Sequence, residues 1–298
     1  MAYNILYENA STEEAALTFL QRNNVVRSVA PFCEQCQRQM TLVRTGRGDD
    51  RCFRCPAHKG EKVFLCKGTF FENSHLTYKN IVELIFAWSF KESAVHTVHL
   101  TGLSENTVIQ WFCYLRDVCS HHLVENPAQI GGIRHHVEID ESLMSKRKNN
   151  VGRVVQQRWV FGGIDRVSGR GFLEFVPDMT AATLENVIRR HIAPGSIINT
   201  DGFASYNNIV NIPVIPRYQH IVVIHEENFV DPVTGACTNR IENYWKNAKR
   251  RFKAMSGTNE AMLSSHLDEF MWREEYGKTP LDAFNKIIDH MQQWYPAP

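Results

Sequence analysis

Four cysteines constrain this chain most. Cys33-x2-Cys36 and Cys52-x2-Cys55 are two tight pairs separated by fifteen residues, the spacing by which two knuckles bring four thiolates around one tetrahedral Zn²⁺. The segment that carries them, Pro31 to about Phe71, is rich in Arg and Gly and holds short β-prone runs at Met40 to Arg44 and Lys62 to Cys66. A ribbon this small cannot build a sufficient core, so metal ligation has to supply its folding free energy. Cys33, Cys36, Cys52 and Cys55 are therefore the expected ligands of one structural zinc. His58 and Cys66 lie nearby and could replace one of them, and the plain alternative is a set of buried thiols without metal. Cys113, Cys119 and Cys237 read as ordinary thiols. Paired cysteines without a sign of secretion favour a reducing compartment and a metal over cross-links.

The rest of the chain has to fold by ordinary burial. Its 298 residues suffice for about two domains. A hydrophobic share of 43% with 22% charged residues excludes a mainly disordered, collagenous or low-complexity protein. Lys plus Arg (33) nearly balances Asp plus Glu (32) for a net charge of +1, so any nucleic-acid contact has to come from local basic clusters. No window approaches the ~18 uninterrupted apolar residues of a membrane span. The longest candidate, Ile81 to Phe90, contains Glu83. The opening residues lack a basic region followed by an apolar core, so neither a secretory signal nor a membrane partner is expected.

The pattern implies four segments. Residues 1–30 are expected to hold one helix, with Ser11 and Thr12 ahead of Glu14 to Leu20. The zinc ribbon fills 31–72, three helices fill 76–125, and Asn126 to Gly132 reads as a linker. From 132 to 298 the pattern becomes mixed α/β. Ile133 to Asp140, Trp159 to Arg166 and Gly171 to Val176 suggest an antiparallel meander. A helix over Thr183 to Ile192 and strands at Ile197 to Thr200 and Ile221 to His225 follow. Helical patterns at Asn239 to Ala254, Leu263 to Tyr276 and Leu281 to Trp294 close the chain.

Within the helical segment, Glu92 to Leu100, the turn Thr101-Gly102-Leu103 and a helix from Ser104 form a helix-turn-helix pattern. Asn106 and Gln110 lie one turn apart, away from the Val108, Trp111, Phe112 and Leu115 face. Both side chains can pair bidentately with adenine. A purely structural helical hairpin fits the same pattern.

Three carboxylates sit at the ends of expected elements. Strand alternation puts Glu138 and Asp140 on one face and Val137 and Ile139 on the other. Asp201 follows the apolar strand Ile197 to Thr200, the end at which open α/β sheets put their sites. Glu242 lies in the first turn of a helix. Converged, the three could hold two Mg²⁺ ions and clamp the attacking and leaving oxygens of a phosphodiester displacement. Singly each has another reading: Asp140 a strand cap, Asp201-Gly202 a turn pair, Asn239-x-x-Glu242 a capping box.

The helix of Glu242 adds a basic track. Ile241, Trp245, Ala248, Phe252 and Met255 form its apolar stripe, while Lys246, Lys249, Arg250 and Lys253 continue the face of Glu242. Such a track suits a phosphate backbone, and a solvated face is the alternative. Lys146, Arg147 and Lys148, with Arg153 and Arg158, form a second basic cluster after Asp140. His220 and His225 are available to position DNA or solvent, or to serve the fold.

These residues carry a resemblance. VEIDESLMSKRKNN around Asp140, RWVFGGIDR after it, PGSIINTDGFASY around Asp201 and FVDPVTGACTNRIENYWKNAKRRFK around Glu242 resemble the Merlin superfamily of cut-and-paste DNA transposases and its bacterial insertion-sequence relatives. The likeness extends upstream through KGTFFENS to the paired cysteines. It implies an RNase H-like catalytic domain whose Asp-Asp-Glu triad falls on Asp140, Asp201 and Glu242, behind a zinc ribbon and a helix-turn-helix. It further implies two catalytic Mg²⁺ or Mn²⁺ ions, and terminal inverted repeats and target DNA as partners. A homodimer or larger assembly is expected, in the nucleus, or in the cytoplasm for a bacterial host. Many relatives have His where this chain has Cys237. The alternative from another class is a domesticated, non-catalytic, sequence-specific DNA-binding protein.

Overall fold

Hydroxyl side chains set most helix starts. Thr12, Thr77, Ser93, Ser104, Thr180 and Thr279 each accept an N–H of the first turn that would otherwise lack a partner. A computed structural model describes residues 2–45, 51–144, 158–223, 238–254 and 262–298. The chain divides into two units, Met1–His122 with Tyr276–Pro298, and Leu123–Glu275.

The first unit begins with two helices, α1 (Ala2–Ala10) and α2 (Glu13–Arg22), where the sequence suggested one. Next comes an antiparallel ribbon of β1 (Thr41–Arg44), β2 (Arg51–Arg54) and β3 (Lys62–Phe64), in that order. The three expected helices follow as α3 (Tyr78–Ser89), α4 (Ala94–Thr101) and α5 (Glu105–Glu125). Glu13 caps α3 from a distance, accepting the N–H of Tyr78 at 2.6 Å and of Lys79 at 3.0 Å. Between α4 and α5 the chain turns at Gly102, whose φ of 70° is left-handed and needs no Cβ accommodation.

The second unit holds the mixed sheet. Its elements are β4 (Ile130–Gly131), β5 (His136–Leu143), β6 (Trp159–Asp165), β7 (Gly171–Val176), α6 (Ala181–His191), β8 (Ile192–Ala193), β9 (Ile197–Thr200), β10 (Gln219–Val222), α7 (Asn239–Ala254) and α8 (Leu263–Glu275). Strand order is β10-β9-β5-β6-β7, with β5, β6 and β7 antiparallel and β9 and β10 parallel to β5. The short β4 and β8 pair separately. Val137 and Ile139 of β5 pack with Leu184, Val187 and Ile188 of α6 in one core. The opposite face packs Val160, Ile164 and Leu173 under Ile241, Tyr244, Trp245 and Ala248 of α7 and Leu267 and Phe270 of α8.

Three expectations are corrected here. β5 starts at His136 because the chain turns before it, with positive φ at Gly131, Gly132 and Arg134. Pairing with β6 continues past Asp140 to Leu143, so Asp140 is mid-strand and does not end it. The segment 1–30 is no separate body, since Arg27 N–H bonds Leu65 O at 2.9 Å. The last helix, α9 (Pro280–Trp294), belongs to the first unit, where Phe284 stacks on Phe19 at 5.8 Å. No helix among the described residues is long and apolar enough to cross a membrane.

Candidate active site

β5 carries Glu138 and Asp140 on the face that α7 covers. Glu138 is fully buried and accepts the N–H of Arg240 at 2.8 Å and of Ile241 at 3.1 Å. Its other oxygen lies 3.5 Å from Nε of Arg166. A strand carboxylate thus caps α7 and neutralises the positive end of its dipole. Helix α7 begins at Asn239, so Glu242 is its fourth residue and the amides of Arg240 and Ile241 go to Glu138. The capping-box reading of Glu242 is overturned. Glu242 N–H bonds Thr238 O at 3.2 Å, and its carboxylate accepts the Thr238 hydroxyl at 3.5 Å.

Gly162 allows this approach. It stands opposite Asp140 in the β5–β6 register, and a Cβ there would come within 2.6 Å of Leu173 and 3.0 Å of Trp245 on α7. Any larger residue would push the helix away from the strand that bears Asp140.

Asp201 leaves the end of β9, its Oδ1 accepting the N–H of Phe203 at 2.9 Å. Asp140 accepts the N–H of Glu141 at 2.8 Å. Burial, first, then the adjacent Glu141 charge push the Asp140 carboxyl up to about 7, and Asp201 and Glu242 add to the same effect. The charges of the other two expected carboxylates thus reach Asp140. The oxygens of the three do not close to ligand spacing: among the described residues, the group of three or more Cys, His, Asp or Glu donors within 4.8 Å is in the ribbon.

Two residues of this site were missed from sequence. The Tyr206 hydroxyl donates to Glu141, and Asp201 raises the Glu141 carboxyl further after burial has done most of it. Only the Asp-Glu dipeptide and the Tyr at the end of Asp201-Gly-Phe-Ala-Ser-Tyr206 could have signalled them. His220 Nε2 lies 2.8 Å from Thr200 Oγ1, whose own hydrogen goes to Asp201 O at 2.6 Å. A His220 Nε2–H that donates to Thr200 satisfies both contacts and ties β10 to the end of β9. On α7, Lys246, Lys249, Arg250 and Lys253 are exposed. Lys146, Arg147, Lys148, Arg153, His225 and Cys237, with Met255 of the apolar stripe, lie outside the described residues.

The ribbon corrects one ligand. Cys33, Cys36, Cys55 and His58 bring their donor atoms within 4.8 Å of one another. Cys36 and Cys55 sulfurs are 3.6 Å apart, as are Cys33 Sγ and His58 Nδ1. A tetrahedron with 2.3 Å Zn–S bonds has edges of about 3.8 Å, so the donor set fits zinc in chemistry and spacing. Cys52 stays out because it is mid-strand in β2, paired with Val43 and Phe64. The knuckle turn forms only beyond the strand, where His58 N–H bonds Cys55 Sγ at 3.2 Å and pushes that thiol down to about 6. In the first unit Asn106 and Gln110 are both exposed on α5. The Gln110 amide donates to Tyr114 Oη at 2.7 Å.

The profile of the ISXO2-like transposase domain matches residues 130–275. The family match spans Asp140, Asp201 and Glu242. An uncharacterized transposase-like protein of Haemophilus influenzae is 31% identical over 98 residues, which are 33% of this chain and 75% of that protein. Among solved structures, the catalytic core domain of BIV integrase is 16% identical over 45% of this chain and 80% of its own, with a TM-score of 0.31. The HTLV-2 integrase catalytic core domain in complex with magnesium is 13% identical over 48% and 87%, with a TM-score of 0.30.

Proposed function

The chain belongs to the insertion-sequence transposase family represented by the ISXO2-like domain, and from that premise we propose that it is a DDE transposase. It binds terminal inverted repeats and catalyses metal-dependent DNA cleavage and strand transfer by a cut-and-paste route. The observation that carries this reading is geometric: Asp140 and Asp201 each lie two residues beyond the last pair of the parallel β5–β9 ladder, and Glu138 of the same β5 caps α7, the helix that bears Glu242. An RNase H-like assignment agrees with a β5-β6-β7 meander extended across β5 by parallel β9 and β10. The wider grouping with Merlin rests on the sequence segments quoted above.

Asp140, Asp201 and Glu242 would hold two Mg²⁺ or Mn²⁺ ions, and the fit lies in the donor set: hard carboxylate oxygens whose mutual repulsion a divalent cation relieves. When bound, such ions activate an attacking hydroxyl and stabilise the leaving oxygen in displacement at phosphorus. The chain's own part is placement. Glu138 fixes the head of α7, Gly162 lets that helix lie close to β5, and Lys246, Lys249, Arg250 and Lys253 lead the DNA backbone toward Glu242. Lys146, Arg147 and Lys148 serve the same strand. One zinc on Cys33, Cys36, Cys55 and His58 folds the ribbon, and Asn106 and Gln110 read bases. Pairing of two DNA ends calls for a dimer or larger assembly, acting wherever the host keeps its DNA.

The test is a cleavage assay on labelled DNA that carries the element's terminal repeats. Strand cleavage that requires Mg²⁺ or Mn²⁺ is the expected result. Tight, specific binding without any cleavage would leave the non-catalytic DNA-binding reading.

A further inference from the structure

The β5–β9 ladder stops short of the acids it leads to. Its last paired residues are Glu138 and Asn199, whereas Asp140 and Asp201 lie two residues further along each chain. Backbone pairing therefore does not set the gap between them. A side-chain link does span it. Tyr206 closes the turn that Asp201 opens, in a 3-10 segment over Ala204–Tyr206. Its ring is buried, with centroids 5.7 Å from Phe203 and 6.3 Å from Phe161. Its hydroxyl donates to Glu141, the residue after Asp140, and the Glu141 N–H bonds Asp140 Oδ1 at 2.8 Å. A continuous path of covalent and hydrogen bonds thus runs from Asp201 through Tyr206 and Glu141 to Asp140.

We propose that Glu141 and Tyr206 are a positioning pair that sets the Asp140–Asp201 gap for a divalent cation. The proposal rests on the reading of those two aspartates as metal ligands. A hydroxyl donating to a carboxylate is among the stronger hydrogen bonds available to a fold. Here it joins β5 to the turn after β9 beyond the last pair of their ladder, and partners of this kind orient the groups that hold a metal.

The experiment titrates Mn²⁺ into the zinc-saturated full chain without DNA, by calorimetry and electron paramagnetic resonance. Tyr206→Phe keeps the ring and every carboxylate and deletes one hydrogen bond. It is expected to weaken Mn²⁺ binding roughly tenfold or more while circular dichroism stays native. Glu141→Ala should lose at least as much, and the double variant no more than Glu141→Ala alone, because both act through one bond. Wild-type Mn²⁺ affinity in folded Tyr206→Phe, or additive losses in the double variant, would overturn the proposal. If Glu141→Ala does not fold, Tyr206→Phe alone decides. Asp140→Asn and Asp201→Asn separate the two levels: binding lost there but kept in Tyr206→Phe refutes only the pair, and binding kept in all three refutes the metal-ligand reading itself.

Discussion

The Glu138 carboxylate accepts the backbone N–H of Arg240 at 2.8 Å and so fastens the head of α7 to the strand that bears Asp140. Removing it leaves the Arg240 and Ile241 amides and the Arg166 guanidinium without that buried acceptor. Glu138→Ala should therefore cost roughly 3–5 kcal/mol of stability. At a temperature where the variant is still folded, DNA cleavage should fall much further than DNA binding. Urea unfolding with parallel binding and cleavage assays checks this, and equal loss of both activities would mean that Glu138 serves the fold alone.

Purified protein should contain about one zinc per chain. Cys33→Ser, Cys55→Ser and His58→Ala should each lower that content, since three remaining donors cannot close a tetrahedral site. Cys52→Ser should keep it, because Cys52 lies within β2. Metal analysis that shows zinc lost in Cys52→Ser and kept in His58→Ala would reverse the ligand assignment.

Acid stability carries a signature of Asp140. Its carboxyl is raised from 3.8 to about 7, so between those values the unfolded chain has released a proton that the folded chain keeps. Stability of the metal-free protein should therefore fall as pH rises from about 4 to about 7 and level off above. Glu141, raised chiefly by burial, adds in the same direction. Asp140→Asn cannot ionise and should gain on the order of 2–4 kcal/mol at pH 8 over the metal-free wild type. Urea midpoints at pH 5 and pH 8 measure it; an unchanged pH dependence in Asp140→Asn would contradict the burial and charge coupling of this group.

Neutralising Lys246, Lys249 and Lys253 should weaken DNA binding across sequences. The salt dependence should flatten by roughly 0.9 per lost phosphate contact with duplex DNA. Binding isotherms over a salt series decide it, and a wild-type slope would mean that this face of α7 meets only solvent.

Much of the fold was legible because its signals are local. The stripe of Ile241, Trp245 and Ala248 foretold α7, and all three are buried on the sheet. Apolar runs gave β6, β7 and β9 nearly to the residue. What escaped depended on partners far away in the chain. Cys52-x2-Cys55-x2-His58 offers two overlapping knuckles, and only the pairing of Cys52 with Val43 and Phe64 selects the second. A cap stayed open as the alternative reading of Glu242 because the true cap, Glu138, comes from a strand about a hundred residues earlier. Glu141 was passed over because alternation put it on the face opposite Asp140, while the turn after β9 brings Tyr206 to it.

The central claim is that Asp140, Asp201 and Glu242 work as one metal-dependent unit, and Glu242→Gln tests it most directly. Since Glu138 caps α7, the substitution should leave folding and DNA binding close to wild type. A neutral amide is a much poorer ligand than a carboxylate for Mg²⁺. Cleavage of labelled terminal-repeat DNA in Mg²⁺ should therefore collapse, with partial recovery in Mn²⁺ consistent with the same role. A folded Glu242→Gln protein that cuts in Mg²⁺ at near wild-type rate would contradict the triad.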